Sequence, residues 1–198
     1  DEEDNQSLPG LSILADADLA VVSAWRRTLP PEQLQIVRDY VASGKPIVAI
    51  RTSCHAFATR DKSVPSGTAT WQRFDQDVLH GNYEGHHGNH ADKGDPTTKI
   101  WVPTAAVGNP LVAGLPDGEF SVPSWLYKMA PLIDPAQPLL IGRVGDGGEE
   151  PVAWTTTAKD GNRVFYTSLG SQGDFEKTEF KQLLHNAVYW AAGVKKSE

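Results

Sequence analysis

Lys45-Pro46-Ile47-Val48-Ala49-Ile50, followed at once by Arg51-Thr52-Ser53-Cys54-His55-Ala56, decides the reading of the chain. Its apolar run lacks the alternation of a half-solvated strand, so it predicts a strand buried on both faces. Upstream, Asp18-Leu19-Ala20-Val21-Val22-Ser23 has the same character. Between the two, Pro30 and Pro31 suit a first helical turn, Leu34, Val37 and Val41 recur at helical spacing, and Gly44 supplies a stop. Strand, helix and strand make one βαβ unit, and such units build parallel sheets covered on both faces.

Beyond Cys54, residues 60 to 98 are rich in Gly, His, Asp and Thr and poor in periodic apolar positions, which predicts a long loop-rich excursion. Lys99-Ile100-Trp101-Val102 and Leu139-Leu140-Ile141-Gly142-Arg143-Val144 read as strands. Val152-Ala153-Trp154-Thr155-Thr156 and Arg163-Val164-Phe165-Tyr166-Thr167 read as a hairpin joined through Lys159-Asp160-Gly161-Asn162. A terminal helix from about Glu176 carries Phe180, Leu183, Leu184, Ala187 and Val188 on one stripe and ends at Gly193.

The 198 residues, 39% of them hydrophobic, fit a single globular domain with a sizeable core. No apolar run approaches the roughly 20 residues that cross a bilayer. The formal charge is −7, and Asp1, Glu2, Glu3 and Asp4 carry four of the negatives. Neither nucleic acid nor a membrane surface is therefore an expected partner, and a homo-oligomer is left open. The single cysteine excludes an intrachain disulfide.

That cysteine follows a predicted strand end, where ligands of open α/β sheets gather. A sharp turn there, flanked by the small residues Thr52 and Ala56, would lift Cys54 above the sheet as a nucleophile. A lone cysteine is more often a buried apolar filler. His55 is adjacent in sequence and is expected to point away. In Tyr83-Glu84-Gly85-His86-His87-Gly88-Asn89-His90, three of the six histidines fall within five residues. His86, His87 and His90 can converge on a divalent ion such as zinc, or one of them can serve Cys54 as general base, oriented by Glu84 or Asp92. The third reading has them merely bonding their loop. His80 and His185 have weaker claims. Most of Trp25, Trp101, Trp125, Tyr127 and Trp154 read as core, with some available as a sugar-stacking floor.

The segments 18–23, 29–34, 44–52, 86–90, 151–154, 163–170 and 180–190, taken in order, resemble the ThuA-like, or trehalose-utilisation, domain of the class I glutamine amidotransferase-like superfamily. The likeness runs from about residue 8 to residue 193. It implies a flavodoxin-like, doubly wound α/β fold with a mainly parallel sheet, closed by the C-terminal β-hairpin and helix. It also implies a link to carbohydrate metabolism, and with it a small-molecule or carbohydrate substrate as partner. Cys54 matches the cysteine of the amidotransferase pattern, but many relatives carry a histidine directly after the late Ser-Leu-Gly, and here that position is Ser171. A base for Cys54 is therefore expected from His86, His87 or His90.

Such a domain ordinarily opens with further strand and helix, roughly 50 residues by the size of a βαβ unit. The expectation is a chain lacking its first βαβ elements, with Asp1–Asp4 as a connection. A leader in the missing part would mean export, otherwise the cytoplasm. The leading functional expectation is a carbohydrate-processing or hydrolase-type enzyme. Its catalytic candidates are Cys54, His87, His90 and Arg51, the last for an anionic or oxyanion group. His55, Glu84 and Tyr127 are the candidate substrate contacts. The rivals are a metalloprotein using His86, His87 and His90 to activate water, and a sugar-binding module without turnover.

Overall fold

The computed structural model describes residues 6–60, 63–90, 93–157 and 161–194. Along the chain these form β1 (Ala20–Val22), α1 (Pro31–Ala42), β2 (Ile47–Ile50), β3 (Gly85–His86), β4 (Thr98–Trp101), β5 (Phe120–Val122), β6 (Tyr127–Lys128), β7 (Gln137–Val144), β8 (Glu150–Thr157), β9 (Arg163–Thr167) and α2 (Thr178–Ala192), linked by single helical turns. Seven strands make one sheet in the order β1-β2-β9-β8-β7-β4-β5, while β3 and β6 pair as a separate ribbon.

The predicted βαβ unit is present. Pro31 occupies the first turn of α1, and β1 and β2 pair in parallel on either side of it in sequence. β2 is buried along its whole length because both faces are covered. Ile47 and Ala49 join a cluster with Leu34, Val37, Tyr40 and Val41 of α1, and Val48 and Ile50 join Phe180, Leu183, Ala187 and Ala191 of α2 on the other side.

The expectation of a mainly parallel sheet is corrected. Only β1–β2 and β2–β9 are parallel; β9–β8, β8–β7, β7–β4 and β4–β5 are antiparallel. The reason is connection length. β7, β8 and β9 follow one another across residues 145–149 and 158–162, too short for the crossover that a parallel pair requires. Continuous apolar character did not distinguish the cases, since Val152, Ala153 and Trp154 of antiparallel β8 are also fully buried. The predicted β8–β9 hairpin is formed. Its Lys159 and Asp160 lie outside the described residues, and Gly161 has a φ of 84°. Asp1–Asp4 and the 195–198 tail also lie outside them.

β1 forms one edge of the sheet, with Val21 56% exposed. The excursion between β2 and β4 is loop-rich, as predicted, but is pinned at two places. A π-helical turn, Asp75–Leu79, packs Val78 and Leu79 into the core under Trp154, whose indole N–H donates to the Leu79 carbonyl at 2.6 Å. The β3–β6 ribbon sets Gly85 opposite Lys128 and His86 opposite Tyr127.

Candidate functional site

The polypeptide turns sharply where β2 ends. Arg51 has a φ of 50°, in the left-handed region that costs a non-glycine residue energy. Its carbonyl accepts hydrogen bonds from the Tyr166 hydroxyl at 2.7 Å and the Cys54 thiol at 3.5 Å. Gly170 is required beside it: a Cβ there would stand 2.4 Å from Ile50 Cγ2, and its own φ is 119°. The sharp turn expected at Cys54 therefore lies three residues earlier. Cys54 sits on the single helical turn Arg51–His55 that follows, almost wholly buried.

Arg51 reaches away from this turn. Its Nη1 donates to Ser124 Oγ at 2.7 Å, and Ser124 in turn donates to Asp174 Oδ2. The same carboxylate oxygen accepts the Gly170 and Ser171 N–H groups at 2.7 and 2.8 Å. Ser171, the residue standing where a histidine was looked for, thus helps hold a buried carboxylate whose charge faces the guanidinium across one hydroxyl.

A cavity of about 580 Å³ opens beside the turn, within the usual range for small-molecule sites. Cys54 and His55, just past the carboxyl end of β2, line it with Arg26, from the loop after β1, and with Asp75, Tyr83 and His86. Arg60, Gln72 and Glu84 complete a largely polar rim. A second cavity of about 560 Å³, near the end of α2, has a mainly apolar wall that includes Pro110, Ala113 and Trp190. Among the described residues it offers no thiol or carboxyl, so the chemistry points to the first.

His55 does not point away from its neighbour. Its Nδ1 lies 3.1 Å from Cys54 Sγ, in the buried interior. Burial, then the fields of Arg26, Arg60, Arg51 and His86, lower the imidazole pKa to about 3. Burial, then the neighbouring Asp75, holds the thiol pKa well above its ordinary value. At neutral pH the pair is a neutral thiol beside a neutral imidazole, not a thiolate–imidazolium pair.

Asp75 is the residue the sequence reading missed. It opens the π-helical turn, is 5% exposed, and its Oδ2 accepts the Tyr83 N–H at 2.7 Å. Oδ1 is buried without a hydrogen-bond partner among the described residues. Gly81 makes room for it, since a Cβ there would lie 2.5 Å from that oxygen. Burial pushes the carboxyl up to about 7, against the opposing Tyr83 hydrogen bond. A weak signal was present: Asp75 stands between Phe74 and Val78-Leu79, all buried, so an acid there is carried into the core.

The three clustered histidines do not converge. His86 packs on Trp125 with ring centroids 4.6 Å apart, and His90 lies against the same indole at 4.2 Å. His87 turns instead to Glu150, 3.1 Å from Nε2 to Oε1. The other oxygen of Glu150 accepts the Met129 and Ala130 N–H groups at 2.8 and 2.9 Å. Among the described residues no group of three or more His, Cys, Asp or Glu side chains is placed to hold a metal ion. Nor does a hydrogen bond join Cys54 to His86, His87 or His90 among them; its imidazole partner is His55. Asp92 lies outside the described residues.

What the loop builds is a series of rings. His55 lies 4.6 Å from Tyr83, Tyr83 lies 5.2 Å from Tyr127, and Tyr127 lies 6.3 Å from His86, which leads on to Trp125 and His90. Arg51 stands over Tyr127 at 5.6 Å. Buried Asn89 anchors the loop, accepting the Leu126 N–H and donating to Thr98. His80 bonds Thr156 of β8, and His185 packs on Tyr189; neither reaches the cavity.

A mixed α/β sheet with helices on both faces and a polar, ring-lined cavity past its parallel strand ends defines the class. The chain belongs to the ThuA family, described as trehalose utilisation, which matches residues 2–191. A ThuA-like protein of Bacteroides uniformis ATCC 8492 superposes with a TM-score of 0.67 at 16% identity, over 93% of this chain and 75% of that one. A cytoplasmic protein of Salmonella typhimurium LT2 gives 0.58 at 17% identity, over 97% and 78%. A β-galactosidase of Rahnella sp. R3 gives 0.56 at 13% identity, over 90% of this chain but 23% of that one. At these identities the likeness is one of fold. No curated protein sequence matches the chain.

Proposed function

We propose that the protein is a carbohydrate-processing enzyme of hydrolase type, acting in the cavity at the ends of β1 and β2. The observation that carries the reading is that Asp75, Cys54 and His55 line one cavity. A carboxyl that titrates near neutrality is matched to give and take a proton at physiological pH. Cys54 is not activated in advance, so as a nucleophile it would lose its proton to His55 only as substrate enters and changes the surroundings. Tyr83 and His86, which line the cavity, offer faces on which the C–H surface of a sugar ring can pack. The family's description, trehalose utilisation, points the same way.

A second reading, sugar binding without turnover, is favoured by the neutral state of both members of the Cys54–His55 pair. A panel of glycosides and sugar esters separates the two. Turnover lost in Asp75→Asn, with sugar binding retained, supports the enzyme. Binding without turnover in the unaltered protein supports the module.

A further inference from the structure

We infer that Tyr166, a residue of β9 that does not line the cavity, positions the Cys54 sulfur and stabilises it when it gives up its proton. The inference rests on the reading of Cys54 as a nucleophile and names what governs that thiol. Tyr166 is wholly buried: it stands opposite Ala49 of β2, and its ring packs on Trp154 with centroids 4.5 Å apart. Its hydroxyl donates to the Arg51 carbonyl at 2.7 Å, and the Cys54 thiol donates to the same oxygen at 3.5 Å. Two donors that meet on one acceptor are themselves neighbours, and the hydroxyl is near enough to hydrogen-bond the sulfur.

The protonated and ionised sulfur use these neighbours differently. The thiol gives its one proton to the Arg51 carbonyl or to Nδ1 of His55. When the S–H bond breaks, the proton passes to Nδ1 and the electron pair stays on sulfur, which leaves a thiolate beside an imidazolium. Shut away from water, that anion needs donors. The imidazolium N–H is one, and the Tyr166 O–H, turning from the Arg51 carbonyl to the sulfur, is the other. Burial and then Asp75 raise the thiol pKa, while the Tyr166 hydrogen bond and the charge of Arg26 lower it. Tyr166 thus works against the burial that keeps the thiol neutral. Tyr83 and Tyr127 bear on the sulfur by charge alone, and burial holds their protons on.

Alkylation of the intact chain by iodoacetamide at pH 7.5 tests this, because Cys54 is the sole cysteine. Mass spectrometry gives the rate; subtracting the part that passes through global unfolding, known from urea titration, leaves the rate of the folded thiol. Tyr166→Phe keeps the ring against Trp154 and removes the donor. The folded thiol of this variant should be alkylated about tenfold or more slowly than that of the unaltered protein. A residue that merely fills space would act the other way, since its substitution loosens the packing and quickens the reaction. If Tyr166→Phe does not fold, 3-fluorotyrosine in place of every tyrosine serves instead: the more acidic phenol is the stronger donor, and alkylation should quicken several-fold. A Tyr166→Phe rate equal to or above the unaltered one, a fluorinated rate no faster than the unaltered one, or a folded thiol that reacts only through unfolding overturns the inference. These outcomes leave Asp75 untouched; the sugar-processing reading falls separately, when no glycoside or sugar ester of the panel is turned over.

Discussion

Cys54 Sγ lies 3.1 Å from Nδ1 of His55, the next residue in the chain, and both groups are held in their neutral forms. Sequence neighbours meet in this way because the turn they share is a tight helical one rather than extended chain. Burial makes the ion pair costly, so both groups stay uncharged at neutral pH.

Thiol reactivity follows directly. Iodoacetamide reacts with the thiolate, so the native protein at pH 7.5 should be alkylated at Cys54 at least about tenfold more slowly than the urea-unfolded chain. Mass spectrometry of timed samples measures both rates. Equal rates would show that the folded thiol is as open and as readily ionised as in the unfolded chain, against the burial described.

Asp75 makes stability depend on pH in a definite direction. Folded, it keeps its proton up to about pH 7; its ordinary value is 3.8. Between those values the folded chain binds more protons than the unfolded one, so this group's contribution falls as pH rises through the window. Asp75→Asn removes the effect and keeps an acceptor for the Tyr83 N–H. The variant should match the unaltered protein near pH 4 and exceed it at pH 8, by up to about 4 kcal/mol. His55, whose folded pKa is depressed, adds stability as pH rises from about 3 toward 6.5 in both proteins and so cancels. Thermal melts at the two pH values measure the difference, and a variant less stable at pH 8 contradicts the burial account.

The parts legible in the sequence were those set by local pattern. The run Ile47–Ile50, the Pro31 helix start and the Gly193 stop are each short-range signals, and each appears where it was read. Strand direction was not legible, because Pro151–Trp154 of β8 are buried without a break, as in a parallel strand, and only the connection lengths separate the cases. At the site, Arg51, Cys54, His55, Glu84, Tyr127 and His86 gather around or beside one cavity. Spacing alone could not show that His87 is drawn off by Glu150, 63 residues away. Asp75 escaped because its meaning comes from its burial in the space that Gly81 leaves open, which no local pattern announces.

Gly170 fixes the elbow. Gly170→Ala would drive a methyl into Ile50 and force a φ of 119° on an L residue. The expected cost is of the order of 3 kcal/mol, read as a lower midpoint of urea unfolding with an unchanged slope. A midpoint within error of the unaltered protein would mean that the turn at Arg51 is not as tight as described.

His87 holds one oxygen of Glu150, whose other oxygen accepts the Met129 and Ala130 N–H groups, so the pair clasps the β6 end. His87→Ala should lower stability by about 1 kcal/mol while leaving the zinc content after dialysis against the metal unchanged. Elemental analysis showing one zinc per chain, lost in the variant, would restore the metal reading.

Under the proposed function Asp75 moves a proton for a sugar-processing reaction in the cavity beside Cys54. The direct test is the pH dependence of kcat on the best substrate of the glycoside and sugar-ester panel, for the unaltered protein and for Asp75→Asn. The expected result is an inflection near pH 7 in the unaltered protein and a loss of about 100-fold or more in the folded variant. Turnover by Asp75→Asn at the unaltered rate, with the same inflection, would contradict it.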